Sequence, residues 1–123
     1  MLKIFAIFIG GGLGASLRWF FGEYFFKIAK TFPFSTLFVN ILGSFILGFL
    51  AYYFANRIYI SNELKLLLTT GFCGGVTTFS TFAYENYSMF ENGEITKSLS
   101  YIFLSIVLSL VGIFAGVYLA KQC

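Results

Sequence analysis

Gly71-Phe72-Cys73-Gly74-Gly75-Val76-Thr77-Thr78-Phe79-Ser80-Thr81-Phe82 lies in the middle of a long apolar run, where a membrane-spanning helix is expected. Its residues are nevertheless poor helix formers. Glycine loses the most backbone freedom on ordering, and the β-branched Val76, Thr77 and Thr78 are restricted at χ1. Two phenylalanines follow, three residues apart, with two hydroxyls between them. Backbone groups freed at membrane depth cannot face lipid, so a broken helix there is expected to line a cavity or hold an ion. The segment is therefore the first candidate for a working site.

The surrounding chain supports that setting. It has 123 residues, is 59% hydrophobic and only 11% charged, less than half the roughly 25% of soluble domains. A spanning helix needs about 20 mainly apolar residues. Four stretches qualify: Ile4–Phe26, Leu37–Ala55, Leu64–Phe90 and Leu99–Ala120. They predict an all-α membrane protein, a single four-span domain over residues 1–123, with helices near 2–28, 34–56, 62–91 and 95–121 and the third one broken mid-membrane. No length remains for a soluble domain. The lack of histidine excludes a Ser-His-Asp triad and a histidine metal site, and no enzymatic constellation is present. A net charge of +3, scattered along the chain, gives no basis for nucleic-acid binding. Cys73 and Cys123 make no disulfide framework. Arg18 inside the first run, with no small-residue cleavage site at a polar boundary, argues against a signal peptide.

Each span carries a feature that apolar packing alone does not need. In the first, Gly10 and Gly14 form a G-x-x-x-G pair that allows close helix approach in lipid. Arg18 lies near the end of the same run. It can snorkel to the headgroups, cap carbonyls, or set the potential at the mouth of a vestibule. Glu23, Lys27 and Lys30 fall near the interface. In the second span, Thr36, Asn40 and Ser44 share one face at i, i+4, i+8. An amide near mid-membrane must find partners, so Asn40 either links helices or offers N–H donors to an anion. In the third, Ser80 and Tyr84 lie at i, i+4. Glu85 lies one turn beyond Phe82; it is a suspect functional acid unless it sits near enough to the interface to be hydrated. In the fourth, Tyr101, Ser105 and Ser109 form a second hydroxyl track, and Gly112 and Gly116 a second G-x-x-x-G pair.

Charge distribution bears on orientation. With four spans, Lys3, Arg57, Lys65 and Lys121 share one side and Lys27, Lys30 and Lys97 the other. Lys/Arg bias orients membrane proteins, and four against three is almost none. Insertion in both orientations, with pairing as an antiparallel homodimer, is the natural expectation.

The segments Gly11-Gly12-Leu13-Gly14-Ala15-Ser16-Leu17-Arg18-Trp19, Thr36-Leu37-Phe38-Val39-Asn40-Ile41-Leu42-Gly43 and Gly71–Phe82 resemble the Fluc/CrcB family of bacterial fluoride channels. The resemblance runs the whole chain in order. The Gly-Gly-x-Thr-Thr-Phe-Ser-Thr-Phe block is the specific part. Trp19 stands where a smaller aromatic is expected, and Ala83 where a serine is common. The resemblance implies an antiparallel, dual-topology dimer in the bacterial plasma (inner) membrane with two fluoride pathways. It also implies a structural sodium ion at the dimer interface, held by the backbone carbonyls of Gly74 and Thr77. Asn40, Phe79 and Phe82 would be pore residues. Ser80, Thr36, Tyr101, Ser105, Ser109 and Glu85 would surround the pathway, and Arg18 would stand near the vestibule. Two other functions share the outline. A small dual-topology multidrug exporter needs a membrane-embedded carboxylate in its first helix, where this chain has Arg18 deep and Glu23 only near the far end. A non-transporting scaffold would leave the hydroxyl tracks and the break without purpose.

Overall fold

The computed structural model describes residues 1–28 and 31–123. It contains α1 (Leu2–Ile28), α2 (Phe34–Ala55), α3 (Asn62–Leu66), a π-helical turn (Leu67–Cys73), α4 (Gly74–Val76), α5 (Ser80–Glu91) and α6 (Ile95–Lys121). The all-α expectation holds. Leu2–Lys27, Phe34–Ala55, Asn62–Glu91 and Ile95–Lys121 are each long and apolar enough to cross a membrane. The third span is the composite one, running from α3 through the π-helical turn and α4 to α5. Lys30, expected near the interface, lies outside the described residues.

Helix pairing follows the small residues. Gly10 and Gly14 of α1 face Gly71 and Gly75 of the third span with backbones in direct apposition. A Cβ on Gly10 would run into the Leu67 carbonyl and lie 2.9 Å from the Phe72 nitrogen; one on Gly71 would lie 2.9 Å from the Ile7 carbonyl oxygen. The second pair, α2 with α6, repeats the device. A Cβ on Gly116 would meet the Phe45 carbonyl and the Phe49 nitrogen, the latter at 2.8 Å. In lipid, where tails are as apolar as leucine, such close van der Waals contact is what drives association.

Two caps fix the ends that matter. Ser61 accepts the Leu64 N–H through its side chain (3.2 Å), starting the third span. After α5, Gly93 takes φ +77°, the Gly93 N–H bonds the Phe90 carbonyl (3.1 Å), and the Glu94 N–H bonds the Met89 carbonyl (2.8 Å). This is a Schellman closure. It returns the chain along α5 as α6, so that Leu37, Met89 and Tyr101 form a small core with Phe32, Ile41 and Phe82 against it.

Much of the helix surface remains uncovered. Of the most apolar stretch of each span, 17% to 28% is buried inside the chain. Phe79 is 77% exposed. Lipid or another protein must cover the rest.

Candidate functional site

The break falls later than the glycines. Gly71, Gly74 and Gly75 are all helical, the first in the π-helical turn and the others in α4. The glycines serve the close approach to α1, and extended backbone begins at Thr77 (φ −81°, ψ 158°). Two features force the change. The Thr77 hydroxyl bonds back to the Cys73 carbonyl (2.9 Å), which the Thr77 N–H also uses (3.1 Å); such back-bonding competes with helix continuation. Then Asn40, arriving from α2, takes both backbone groups of Thr78. Its Oδ1 accepts the Thr78 N–H at 2.8 Å and its Nδ2 donates to the Thr78 carbonyl at 3.1 Å. Asn40 thus closes a two-bond clamp across 38 residues of sequence, and its second amide hydrogen is left over. Gly43, one turn along α2, gives the Thr77 methyl room that any side chain would fill.

The clamp frees carbonyls. In an uninterrupted helix the Thr78 N–H would bond the Gly74 carbonyl, but it goes to Asn40. The Thr81 N–H, which would serve the Thr77 carbonyl, goes to the Thr78 hydroxyl at 3.2 Å. Gly74 and Thr77 are therefore left with carbonyl oxygens deprived of their regular donors. The carbonyl between them in sequence that is satisfied, Gly75, accepts the Arg18 Nε–H at 3.0 Å. Arg18 is thereby placed on the end of α4, capping a carbonyl from 57 residues away. Among the described residues no cluster of three Asp, Glu, Cys or His side chains could hold a metal. A hard cation suited to neutral oxygens fits the freed Gly74 and Thr77 carbonyls, which carry no formal charge and whose lone pairs are available.

An open cleft of about 1020 Å³ lies between α2, the third span and α6. Asn40, Gly74, Thr77, Phe79 and Phe82 line it, as do Ser105 and Ser109 of α6. The Phe79 and Phe82 rings are 5.6 Å apart between centroids, tilted at 46°. Ser105 is the informative hydroxyl: its Oγ is buried and has no hydrogen-bond partner among the described residues. A buried hydroxyl left unpaired costs free energy, about 1–3 kcal/mol, unless something supplies the missing bond.

A second cavity of about 470 Å³ lies at the α5–α6 end and is lined by Thr36, Thr81, Tyr84 and Glu85 among others. The Glu85 carboxyl takes the Thr36 hydroxyl on Oε2 (3.1 Å) and the Tyr101 hydroxyl on Oε1 (2.9 Å). Tyr101 is fully buried and packs on Phe82, with centroids 5.0 Å apart. Phe82 and Tyr101 therefore stand between the two cavities, one lining the cleft and the other bonded to the acid of the second. Of the residues singled out in the sequence, Tyr101 and Arg18 line neither cavity but bond Glu85 and the Gly75 carbonyl, and Ser80 lines neither and is exposed at the start of α5.

Two polar residues were not singled out. Asn86 donates to the Phe82 carbonyl (2.9 Å) and accepts the Ser98 hydroxyl (2.7 Å), both residues buried. The pair ties α5 to α6 directly behind Phe82. The signal was present: Asn86 is an amide inside an apolar run, as Asn40 is.

Comparison with known proteins identifies the family. The family described as CrcB-like protein, Camphor Resistance (CrcB), matches residues 5–117. A protein of Bacteroides fragilis named fluoride-specific ion channel FluC is 43% identical, the match covering 99% of this chain and 98% of the relative. Proteins of the same name from Clostridium perfringens and Agrobacterium fabrum are 42% and 40% identical, over 98% and 99% of this chain. With four spans, a glycine-packed first helix and a clamped break in the third, matched over nearly its whole length, the chain belongs to the CrcB family of multi-pass membrane proteins.

Proposed function

We propose that the protein is a fluoride-selective channel that conducts passively, and that it works as an antiparallel homodimer in a bacterial plasma membrane. The observation that carries the reading is the orphaned Ser105 hydroxyl in a cleft to which Asn40 and Ser109 add neutral donors. Fluoride is small and strongly hydrated, so a pore must replace its water without trapping it. Asn40 has one amide hydrogen beyond the clamp, and Ser105 and Ser109 add hydroxyl donors. Phenyl rings carry a positive edge, so Phe79 and Phe82 can face an anion edge-on while remaining apolar. None of these groups is charged, which keeps binding shallow enough for the ion to leave. The route then passes Phe82 and Tyr101 toward Thr36 and Glu85, whose carboxyl accepts the hydroxyl hydrogens of both Thr36 and Tyr101. Ser80, at the head of α5, belongs to the approach, and Arg18 to the vestibule side of the break.

The pairing reading rests on chemistry of the same kind. Phe79 is too exposed in one chain to form a dry passage, and the nearly even Lys/Arg distribution permits both orientations. Gly74 and Thr77 from two copies would supply four carbonyl oxygens to a sodium ion at their interface. When bound, that ion would add a positive charge near the break and favour anions beside it. The chain's own part is to hold those carbonyls free, through Asn40 and Thr78.

The test is electrogenic flux from liposomes of purified protein. Fluoride should leave rapidly under an applied potential and chloride should barely leave. Phe82→Ile should lower fluoride flux at least tenfold with the protein still folded, a barrier change of about 1.4 kcal/mol or more. Equal chloride and fluoride flux in the unmodified protein would sink the reading.

A further inference from the structure

The two cavities differ in charge. The second is lined by Glu85, Glu94 and Lys97, and the Lys97 ammonium is held by Glu94 at 3.0 Å. Among the described residues the large cleft has one charged residue on its wall, Lys65, and no acid. Lys65 enters the wall together with Ala51, Phe54 and Ala55, the last residues of α2, so it sits where the cleft opens at the end of the bundle. It is half-buried, and among the described residues its ammonium pairs with no carboxylate. Lys3, at the same end, is exposed at the start of α1 and lines neither cavity, and two further cations there are engaged elsewhere. Arg57 lies over the Tyr53 ring at 3.6 Å and bonds the Tyr53 carbonyl and the Tyr59 hydroxyl, while Lys121 faces the Tyr52 ring at 5.7 Å. Neither lines the cleft.

Lys65 lies eight residues before Cys73, roughly 12 Å along a helix axis. That is too far to touch an ion at Asn40 and about one Debye length at 0.1 M salt. A lone charge at the mouth of a low-dielectric cleft focuses field and concentrates counter-ions there. Thr69 and Thr70 continue the wall inward from it with uncharged hydroxyls.

We propose that Lys65 is the anion-collecting residue of this cleft: it raises the fluoride concentration at the mouth and takes no part in binding at the narrow point. The proposal rests on the fluoride-channel reading. In an antiparallel pair each membrane face would show one such lysine, so capture would be equal from both sides.

The experiment is fluoride flux in vesicles of zwitterionic lipid for the unmodified protein, Lys65→Met and Lys65→Arg. It is run at sub-saturating and saturating fluoride, at about 10 mM ionic strength and at about 1 M, where the Debye lengths are about 30 Å and 3 Å. At low ionic strength and low fluoride, Lys65→Met should lose roughly three- to fivefold in initial flux. The loss should vanish at saturating fluoride and at high ionic strength, and Lys65→Arg should match the unmodified protein throughout. Unchanged Lys65→Met flux at low salt overturns the proposal and leaves the channel reading standing. A loss that persists at every fluoride and salt concentration also overturns it, since that marks a structural role. Absence of fluoride flux in the unmodified protein overturns both.

Discussion

The two halves of the third span are held in opposite ways. From Asn62 to Val76 the chain lies against α1 by backbone contact, with Gly71 and Gly75 set into Gly10, Gly11 and Gly14. From Ser80 to Glu91 it is held by side-chain hydrogen bonds: Glu85 to Thr36 and Tyr101, and Asn86 to Ser98. Apart from the Arg18 bond to the Gly75 carbonyl, the first half is fixed by the absence of side chains and the second by their presence. Shape anchors the half that carries the freed carbonyls, whereas polar wiring anchors the half that carries Phe82. The first should therefore respond to added volume and the second to lost donors.

Three substitutions break or sharpen this contrast. The largest effect is expected for Gly71→Leu. Its Cβ alone would come within 2.9 Å of the Ile7 carbonyl oxygen and 3.0 Å of the Gly10 Cα, both backbone atoms that cannot move aside. Purification should yield no monodisperse protein; a normal elution profile and normal flux would show that the two helices are not in backbone contact. Next comes Asn40→Asp at the junction of the two halves. It replaces the donor to the Thr78 carbonyl with an oxygen and puts a negative charge in the cleft. Fluoride flux should fall on the order of 100-fold, about 2.7 kcal/mol in barrier. Retention of flux would remove the clamp from the pathway. The smallest effect is expected for Ser98→Ala, which takes one donor from the buried Asn86 carbonyl oxygen. A loss of about 1–3 kcal/mol is the usual result of orphaning such a group. Thermal unfolding in detergent should register it as a lowered midpoint with chloride exclusion unchanged. An unshifted midpoint would mean that α5 and α6 are joined by packing alone.

The sequence made the first half readable and the second only in part. Four apolar runs of spanning length are local signals, and so are the paired small residues of α1 and α6. The segment Gly71–Phe82 does contain the break, at Thr77, but its glycines are helical. Their purpose is contact with α1, and helical structure there survives because the neighbouring backbone, not propensity, decides. The actual break depends on Asn40 meeting Thr78, a contact 38 residues apart with no trace in local periodicity. Arg18 shows the same limit, since its carbonyl partner Gly75 is 57 residues away. The i, i+4 spacing of Ser80 and Tyr84 suggested a shared polar face, yet both are exposed and only Tyr84 reaches a cavity. Asn86 was missed although its situation matched that of Asn40: a lone amide in an apolar helix has to be paired, and Ser98 waits across the Gly93 turn.

The π-helical turn over Leu67–Cys73 has a consequence of angular phase. A turn closed by i→i+5 bonds takes about one residue more than a turn closed by i→i+4 bonds. It therefore acts as a spacer in rotation, setting every later residue back by about 100°. With that setting, Gly75 meets α1 while Thr77 and Thr78, only two and three residues on, meet α2. The adjustment is stored in chain length and not in the identity of any side chain. Shortening Leu67–Cys73 by one residue would swing Thr78 away from Asn40 with every polar group of the cleft still in the sequence.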